Sequence, residues 1–450
     1  MSTSHIKKIG VSGTGMIAHC FIRLIKQHYQ DLEITRVLTR RPLNSFSDFP
    51  LADRLTNSID QMIDNADLIV ECSGDVFHGT EVIERAFEAG LPVVTVNAEL
   101  QVTTGSYLAG KGFLTEAEGD QPGSLAALHE EALMMGFKPL VYGNMKGYLN
   151  HDPTLEDMAY WSKRQGISID QTTSFTDGTK VQIEQVIVGN GLGATITRQG
   201  LEGLASTNLT ETGNLLGMMA ERLGQPFVDY VIPSGYPAGG VFLVCRHDEN
   251  QQAAIEYFKL GPGPYYTLVR PFHLCSLEVG KTVRRVLNGG GVLLNNSTAP
   301  TLGVGAVAKR AMRPGELIER GIGGFQFRGE ALRLDQNPDH VPIGLLRKTA
   351  LKRAVEPGQL ITFDDIDILP SRALDIVMQQ RAERAAPPTA SLRQAQRRLQ
   401  PAEQEAAGDA GHREYCRCRG GLYRIWATDE HLADAAPRAY FHRVYRAHCI

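Results

Sequence analysis

The chain has 450 residues, enough for two or three domains and a large core. With 42% hydrophobic and 21% charged residues it reads as an ordinary globular protein, and a net charge of −4 gives no footing for general nucleic-acid or anionic-membrane binding. Seven scattered cysteines (Cys20, Cys72, Cys245, Cys275, Cys416, Cys418, Cys449) argue against a disulfide framework and for a reducing cytoplasm, and neither an apolar leader nor a run near the ~20 apolar residues of a membrane span is visible.

In chain order, "IKKIGVSG" reads as a strand, "MIAHCFIRLIKQHY" as a helix, "LEITRVLTR" and "ADLIVECSG" as strands, "GTEVIERAFEAG" as a helix and "LPVVTVNAE" as a strand. That alternation predicts βαβ units and a doubly wound parallel sheet of the Rossmann type over residues 1–145, with "HEEALMMGF" and "KPLVYGN" extending it. From 146 to 300 the pattern changes to strand-like stretches, among them "ISIDQTTSFTDGTKVQIEQ" and "GVFLVCR", between Gly-rich loops, which predicts an α+β second domain. The helical stretch 276–287 is expected to pack back on the first. "KRAMRPGELI" (309–318) and "KRAVEPGQLI" (352–361) repeat one another and predict a small β-rich module over 301–375.

Residues 376–450 read as a low-complexity, disordered tail. From 381 onward there are twelve Arg and no Lys or Asn, a bias that fits translation from a shifted, GC-rich frame. Cys416-x-Cys418 with His442 and His448 offers zinc-type ligands at a spacing unlike common sites, so no metal is expected.

"GVSGTGMIA" places Gly13-x-Gly15-x-x-Ala18 between a strand and a helix. Gly13 permits a tight turn and Gly15 lets the backbone approach a pyrophosphate. Thr14, Met16 and Ile17 join the same cradle, and the helix N-terminus faces the anion. The next strand ends in Thr39, Arg40 and Arg41 instead of an acid, which suits a 2′-phosphate and predicts NADP, with NAD as the other candidate. Ser73, Gly74, Asn97 and Ala98 lie at later strand ends, where ligands bind in open α/β sheets, and are expected to line the cofactor. The polar stretch "EAEGDQPG" (116–123) precedes a helix. Lys146 follows a strand, and Asp177 and Lys180 fall at a turn or strand end. A carbonyl reductase needs a cation or acid to polarise its substrate, so Lys146 or Lys180 would serve, with Asp177 as orienting partner. Arg270 and His273 would hold a phosphate or carboxylate.

The "GTGMIA", "VVTVNAE", "GNMKG" and "SFTDGTK" segments, over about residues 6 to 375, resemble homoserine dehydrogenase-like oxidoreductases, and more closely the 1-deoxy-D-xylulose 5-phosphate reductoisomerase-like branch. The resemblance implies NAD(P)-dependent hydride transfer in a cleft between Rossmann and catalytic domains, a likeness of the two repeated segments to a C-terminal SAF (β-clip-like) module, a homodimer, and Lys146, Asp177 and Lys180 as active-site positions. Homoserine dehydrogenases carry Asn-Lys where this chain has Asn97-Ala98-Glu99, and members of the other branch share the Glu. Glu99 is therefore expected as a partner for a hydroxyl or a lysine. The expectation is an oxidoreductase of a small polar hydroxy or oxo compound, phosphorylated or free, binding neither nucleic acid nor membrane. Homoserine dehydrogenase is the first alternative, and a non-catalytic NADP(H)-sensing or carbohydrate-binding protein the second.

Overall fold

The computed structural model describes residues 6–46 and 48–386, with two further short strands. The chain divides into one unit over Met1–Ala385 and another over Ala386–Ile450. In the latter, Tyr415–Cys418 and Gly421–Arg424 pair antiparallel. The remainder of the expected disordered or frame-shifted tail, with His442 and His448, lies outside the described residues.

In the first unit, β1 (Lys7–Ser12), α1 (Met16–His28), β2 (Leu32–Leu38), β3 (Leu55–Thr56), α2 (Ile59–Ile63), β4 (Leu68–Glu71), α3 (Val76–Glu88) and β5 (Val93–Thr95) follow in order. Two short helices, α4 (Ala98–Leu100) and α5 (Ser106–Ala109), flank a π-turn and lead to β6 (Leu114–Glu116). The six strands form a sheet ordered β3-β2-β1-β4-β5-β6, parallel throughout. This is the doubly wound Rossmann-like α/β fold. Burial of Ile9 through Ser12 on both faces of the central strand is what helices on either side of a parallel sheet require.

The "KPLVYGN" strand does not extend this sheet. After α6 (Gln121–Met134), β7 (Lys138–Met145) is the middle of a second sheet. The sixth parallel strand is instead "LTE", too short to show an alternation in sequence. The second sheet is completed after α7 (Leu155–Gln165), α8 (Ile169–Thr176) and α9 (Thr179–Leu192) by β8 (Leu204–Ser206), α10 (Leu209–Leu223), β9 (Phe227–Pro233), β10 (Val241–Arg246), α11 (Gln252–Tyr257) and β11 (Tyr266–Arg270). Its order is β11-β10-β7-β9-β8. Val141 and Met145 pack with Leu216 and Ala220 of α10, while Tyr142 faces the core that holds Val181, Val186 and Ile187 of α9. By the strand's period of two, Asn144 and Lys146 share the α9 side.

"SFTDGTK" is helical, which corrects the expectation of strands there. Ser168 and Gln171 form a capping box that starts α8, and Gly178 at φ +89° separates it from α9. Residues 179–190 of α9 are all buried, so the helix shows no amphipathic stripe, and its apolar run reads as a strand. Next, α12 (Cys275–Leu287) returns to the first sheet: Val279 and Val283 join Phe21, Ile22 and Ile25 in one core. Each such side chain contributes about 1.5–3 kcal/mol relative to exposure.

The module holds β12 (Leu302–Ala308), β13 (Leu317–Arg320), β14 (Phe327–Arg333), β15 (Arg347–Leu351) and β16 (Ile366–Asp367), and the repeats form the turns after β12 and after β15. They meet about a local pseudo-two-fold axis. Met312 bridges its repeat equivalent Val355, and the N–H of Gly315 donates to Leu351 (2.7 Å) as that of Gly358 donates to Ala308 (2.8 Å). Both glycines have positive φ, +82° and +81°, so the turns need them. Finally α13 (Arg372–Ala385) runs into the segment expected to be disordered from 376. It is ordered because Ala373 and Val377 pack on Val76 and Leu345. Among the described residues no helix is long and apolar enough to cross a membrane.

Candidate active site

The glycine-rich turn has the shape a dinucleotide needs. Gly13 has φ +121°, and a Cβ there would lie 2.7 Å from the Cys72 carbonyl oxygen, so β1 and β4 approach too closely for a side chain. A Cβ on Gly15 would meet nothing within 4 Å, which leaves open space before the uncapped first turn of α1. The free N–H groups of that turn and this space fit a pyrophosphate. Met16 is exposed beside them.

At the end of β2, Arg41 Nη2 donates to Thr14 Oγ1 (2.9 Å), and the Thr14 and Thr39 hydroxyls meet at 3.2 Å. Arg40 reaches across to Asp75 (2.8 Å), the side-chain cap of α3. Glu71, wholly buried, braces the floor: it accepts from the Ser73 N–H (2.9 Å) and from Thr95 Oγ1 (3.1 Å), and burial raises its pKa against the pull of these donors. Gly74 takes φ +66°. Asn97 was expected to line the cofactor. It is 1% exposed, accepts from the Leu100 N–H and donates to the Asp75 carbonyl, so its side chain braces two loops instead.

Beyond the cofactor loops lies a buried ionic cluster. The start of α9 supplies Lys180 and, one turn later on the same face, Glu184. Lys180 Nζ is 3.6 Å from Glu99 Oε1, and Glu184 accepts from Lys146 Nζ (3.0 Å) and Asn144 Nδ2 (3.3 Å). Burial alone would lower the Lys180 pKa. The carboxylates of Glu99, Asp120, Glu184 and Glu116 outweigh it and raise the pKa well above the ordinary value. Glu116, at the end of β6, accepts from Gln101 Nε2 (2.6 Å). Burial first, and then the Asp120 carboxylate, push its pKa well above the ordinary carboxylate value. Asn144 Oδ1 is buried without a partner, whereas the side chains of Glu116 and Asp120 are placed to share a hydrogen bond when Glu116 carries a proton. Among the described residues no group of His, Cys, Asp and Glu has the arrangement of a metal site.

The geometry brings Lys146, Lys180 and Glu99 into one cluster. It does not bring Asp177 there. That carboxylate is fully buried, 2.6 Å from Lys309 Nζ, and accepts from the Thr179 N–H (2.9 Å). Asp177 therefore orients neither Lys146 nor Lys180; Glu184 and Glu99 do. The expectation for Arg270 and His273 is corrected as well. Arg270 Nη2 is held by Glu118 (2.6 Å) and Glu278 (2.8 Å), which also bind Lys281, while His273 Nδ1 faces the Gly119 carbonyl. Nη1 is buried without a partner, yet two carboxylates against this guanidinium leave it little attraction for an anion.

Sequence reasoning gave no role to Glu184, Glu116, Asp120, Glu71 or Lys309. One signal was present: Lys180 and Glu184 stand four apart, so a helical reading of the segment pairs them. A cavity of about 280 Å³, lined by His151, Arg198, Tyr230, Arg328 and Glu330 among others, lies elsewhere. It includes Asp177, which is taken up by Lys309, but neither Lys146 nor Lys180, and Arg328 and Arg198 in its lining pair with Glu330 (2.6 Å) and Glu202 (3.9 Å).

Residues 13–110 match the family model described as homoserine dehydrogenase, NAD binding domain, and residues 119–279 match that of oxidoreductase DRL, catalytic domain. No curated protein matches the sequence. Solved structures that the chain matches include a homoserine dehydrogenase from Thiobacillus denitrificans (14% identity, 78% of this chain and 97% of that one, TM-score 0.41). Others are a homoserine dehydrogenase from S. aureus (14%, 63% and 76%, 0.34) and a scyllo-inositol dehydrogenase from Lactobacillus casei (13%, 65% and 92%, 0.37). Likenesses this distant carry no information on substrate.

Proposed function

We propose, for this NAD(P)-dependent oxidoreductase with its homoserine dehydrogenase-type NAD-binding domain and DRL-type catalytic domain, a reaction at Lys180 on a small, neutral, hydroxyl-rich oxo or hydroxy compound. A bound nicotinamide supplies or accepts the hydride; everything else falls to side chains of this chain. The observation that carries the reading is the Lys180 ammonium set among Glu99, Glu116, Asp120 and Glu184.

Because its pKa is raised, Lys180 stays protonated and is a weak acid. Its work is to polarise a carbonyl and stabilise the alkoxide that forms as hydride arrives. Glu116, whose pKa burial and the adjacent Asp120 carboxylate raise, is the proton donor in this reading. In the oxidative direction the same carboxylate receives the hydroxyl proton. Lys146 and Glu184 position the opposite side of the substrate.

The substrate class follows from charge and an unpaired acceptor. Even were Glu116 neutral, three carboxylates would face two ammonium groups, so a phosphate or carboxylate would meet net repulsion. The unpartnered Asn144 oxygen calls for a donor, which a hydroxyl supplies. Arg40 and Arg41 support NADP as the cofactor. The pseudo-two-fold pair of turns supports reading residues 301–375 as an SAF-like module.

The test is NADPH oxidation with matched pairs of hydroxyketones or sugars and their phosphate esters. Turnover of the neutral members alone is expected. Preference for the esters would overturn the substrate class, and NADPH oxidation unaffected by Lys180→Met would overturn the assignment of the site.

A further inference from the structure

The β-rich module over 301–375 also reaches the cofactor domain outside the ionic cluster. Leu345, fully buried, packs on Val76 at the start of α3, and Gly344 lies so close to Thr103 that a Cβ would sit 2.1 Å from its Oγ1. This docking sets Arg347, the first residue of β15, beside the loop between β4 and α3. Its guanidinium lies over the Phe77 ring (5.4 Å to the centroid) and its Nη1 is 3.0 Å from Asp75 Oδ2. Arg40 holds that same oxygen at 2.8 Å. Two guanidiniums thus share one carboxylate oxygen, and Arg41 stands nearby on the Thr14 loop. One negative charge against two leaves an excess positive charge at the rim, where the Arg40 and Arg347 side chains remain 51% and 44% exposed.

We infer that Arg347 is a cofactor-specificity residue: with Arg40 and Arg41 it forms a three-guanidinium site for the 2′-phosphate monoester of NADP, contributed in part by the C-terminal module. In an open α/β sheet the adenosine half of a dinucleotide lies against the ends of the first two strands, near the loop after the neighbouring strand. The bridge from Arg40 to Asp75 spans that crevice. A phosphate monoester offers several acceptor oxygens, and guanidiniums engage them bidentately, so one anion can be shared among groups converging from different elements. Phe77 restricts where the Arg347 head can go, which lowers the cost of ordering it on binding. NADP preference thereby depends on a segment remote in sequence from the β2 end that usually decides it; even Asp75, which Arg347 bridges, lies 272 positions away.

This inference rests on the NADP reading above, and the experiment separates the two. Dissociation constants of NADPH and NADH are measured by cofactor fluorescence on the full chain for wild type, Arg347→Gln, Arg347→Lys and Arg40→Gln. Arg347→Gln should weaken NADPH roughly tenfold, the loss of one exposed charge-assisted contact, and leave NADH unchanged. Arg347→Lys should restore part of the difference. NADH affinity serves as the control for folding and docking. Equal weakening of both cofactors would make Arg347 a structural contact only and overturn the inference, as would no change in either. A wild type that binds NADH as tightly as NADPH would overturn the NADP reading and this inference together.

Discussion

The ion pair between Lys309 and Asp177 gives a sharp energetic prediction. Both side chains are buried, at 1% and 0% exposure, and the contact is 2.6 Å. Lys309 also donates to the Gly324 carbonyl (2.8 Å), and Asp177 accepts from the Thr179 N–H at the head of α9. The pair therefore ties the β-rich module to the turn that presents Lys180. Lys309→Met keeps the length of the side chain but strands the carboxylate; Asp177→Asn keeps the Thr179 bond but strands the ammonium. Removing one partner of a buried pair costs about 3–5 kcal/mol, because the remaining charge is desolvated and uncompensated. The double variant leaves no stranded charge, so its loss should fall short of the sum of the two single losses by about 2 kcal/mol or more. Urea titrations of the four proteins give these values, and hydrogen exchange in the first turn of α9 reports whether Lys180 is held less firmly. Single variants within about 1 kcal/mol of wild type, or strictly additive losses, would refute the reasoning.

Three further outcomes follow from particular contacts. Gly13→Ala puts a methyl against the Cys72 carbonyl at φ +121° and should lower both stability and NADPH affinity. Gly15→Ala enters open space and should lower only NADPH affinity; identical behaviour in urea and binding assays would contradict the cradle. Burial pushes His340 down to about 4 from an ordinary 6.5. The unfolded chain then binds a proton that the folded one refuses, so the stability tied to His340 is full above pH 6.5 and is lost as pH falls toward 4, by about 3 kcal/mol. The difference in stability between wild type and His340→Gln should show that slope, and a flat difference would remove it. With Glu116 as proton donor, carbonyl reduction should slow as pH rises through its raised pKa, and Glu116→Gln should abolish that limb of the profile; a limb that survives belongs to another group.

Much of the first sheet was legible because a parallel strand buried on both faces is a plain apolar run, and because "GVSGTG" sits between a strand and a helix. The return of α12 was legible from its apolar stripe. Where burial surrounds an element, the signal fails: α9 has no polar face, so its sequence reads as a strand and hides the pairing of Lys180 with Glu184. Lys146, Lys180 and Glu99 could be named from residue type and position, but not their partners. Asp177 looked catalytic since an Asp-Gly turn beside two lysines is polar. Its partner is Lys309, 132 positions away, and nothing local announces that. Arg270 looked free for the same reason; Glu118 and Glu278 reach it only through the fold.

The most direct measurement is the rate of NADPH oxidation by a neutral hydroxyketone or sugar substrate in wild type and Lys180→Met, with the NADPH dissociation constant measured alongside. Lys180→Met should lower the rate by about a hundredfold to a thousandfold, the usual loss on removing one preorganised charge from a developing alkoxide, with NADPH affinity unchanged. A variant that keeps its rate, or one that loses rate only in proportion to cofactor affinity, would contradict the placement of the chemistry at Lys180.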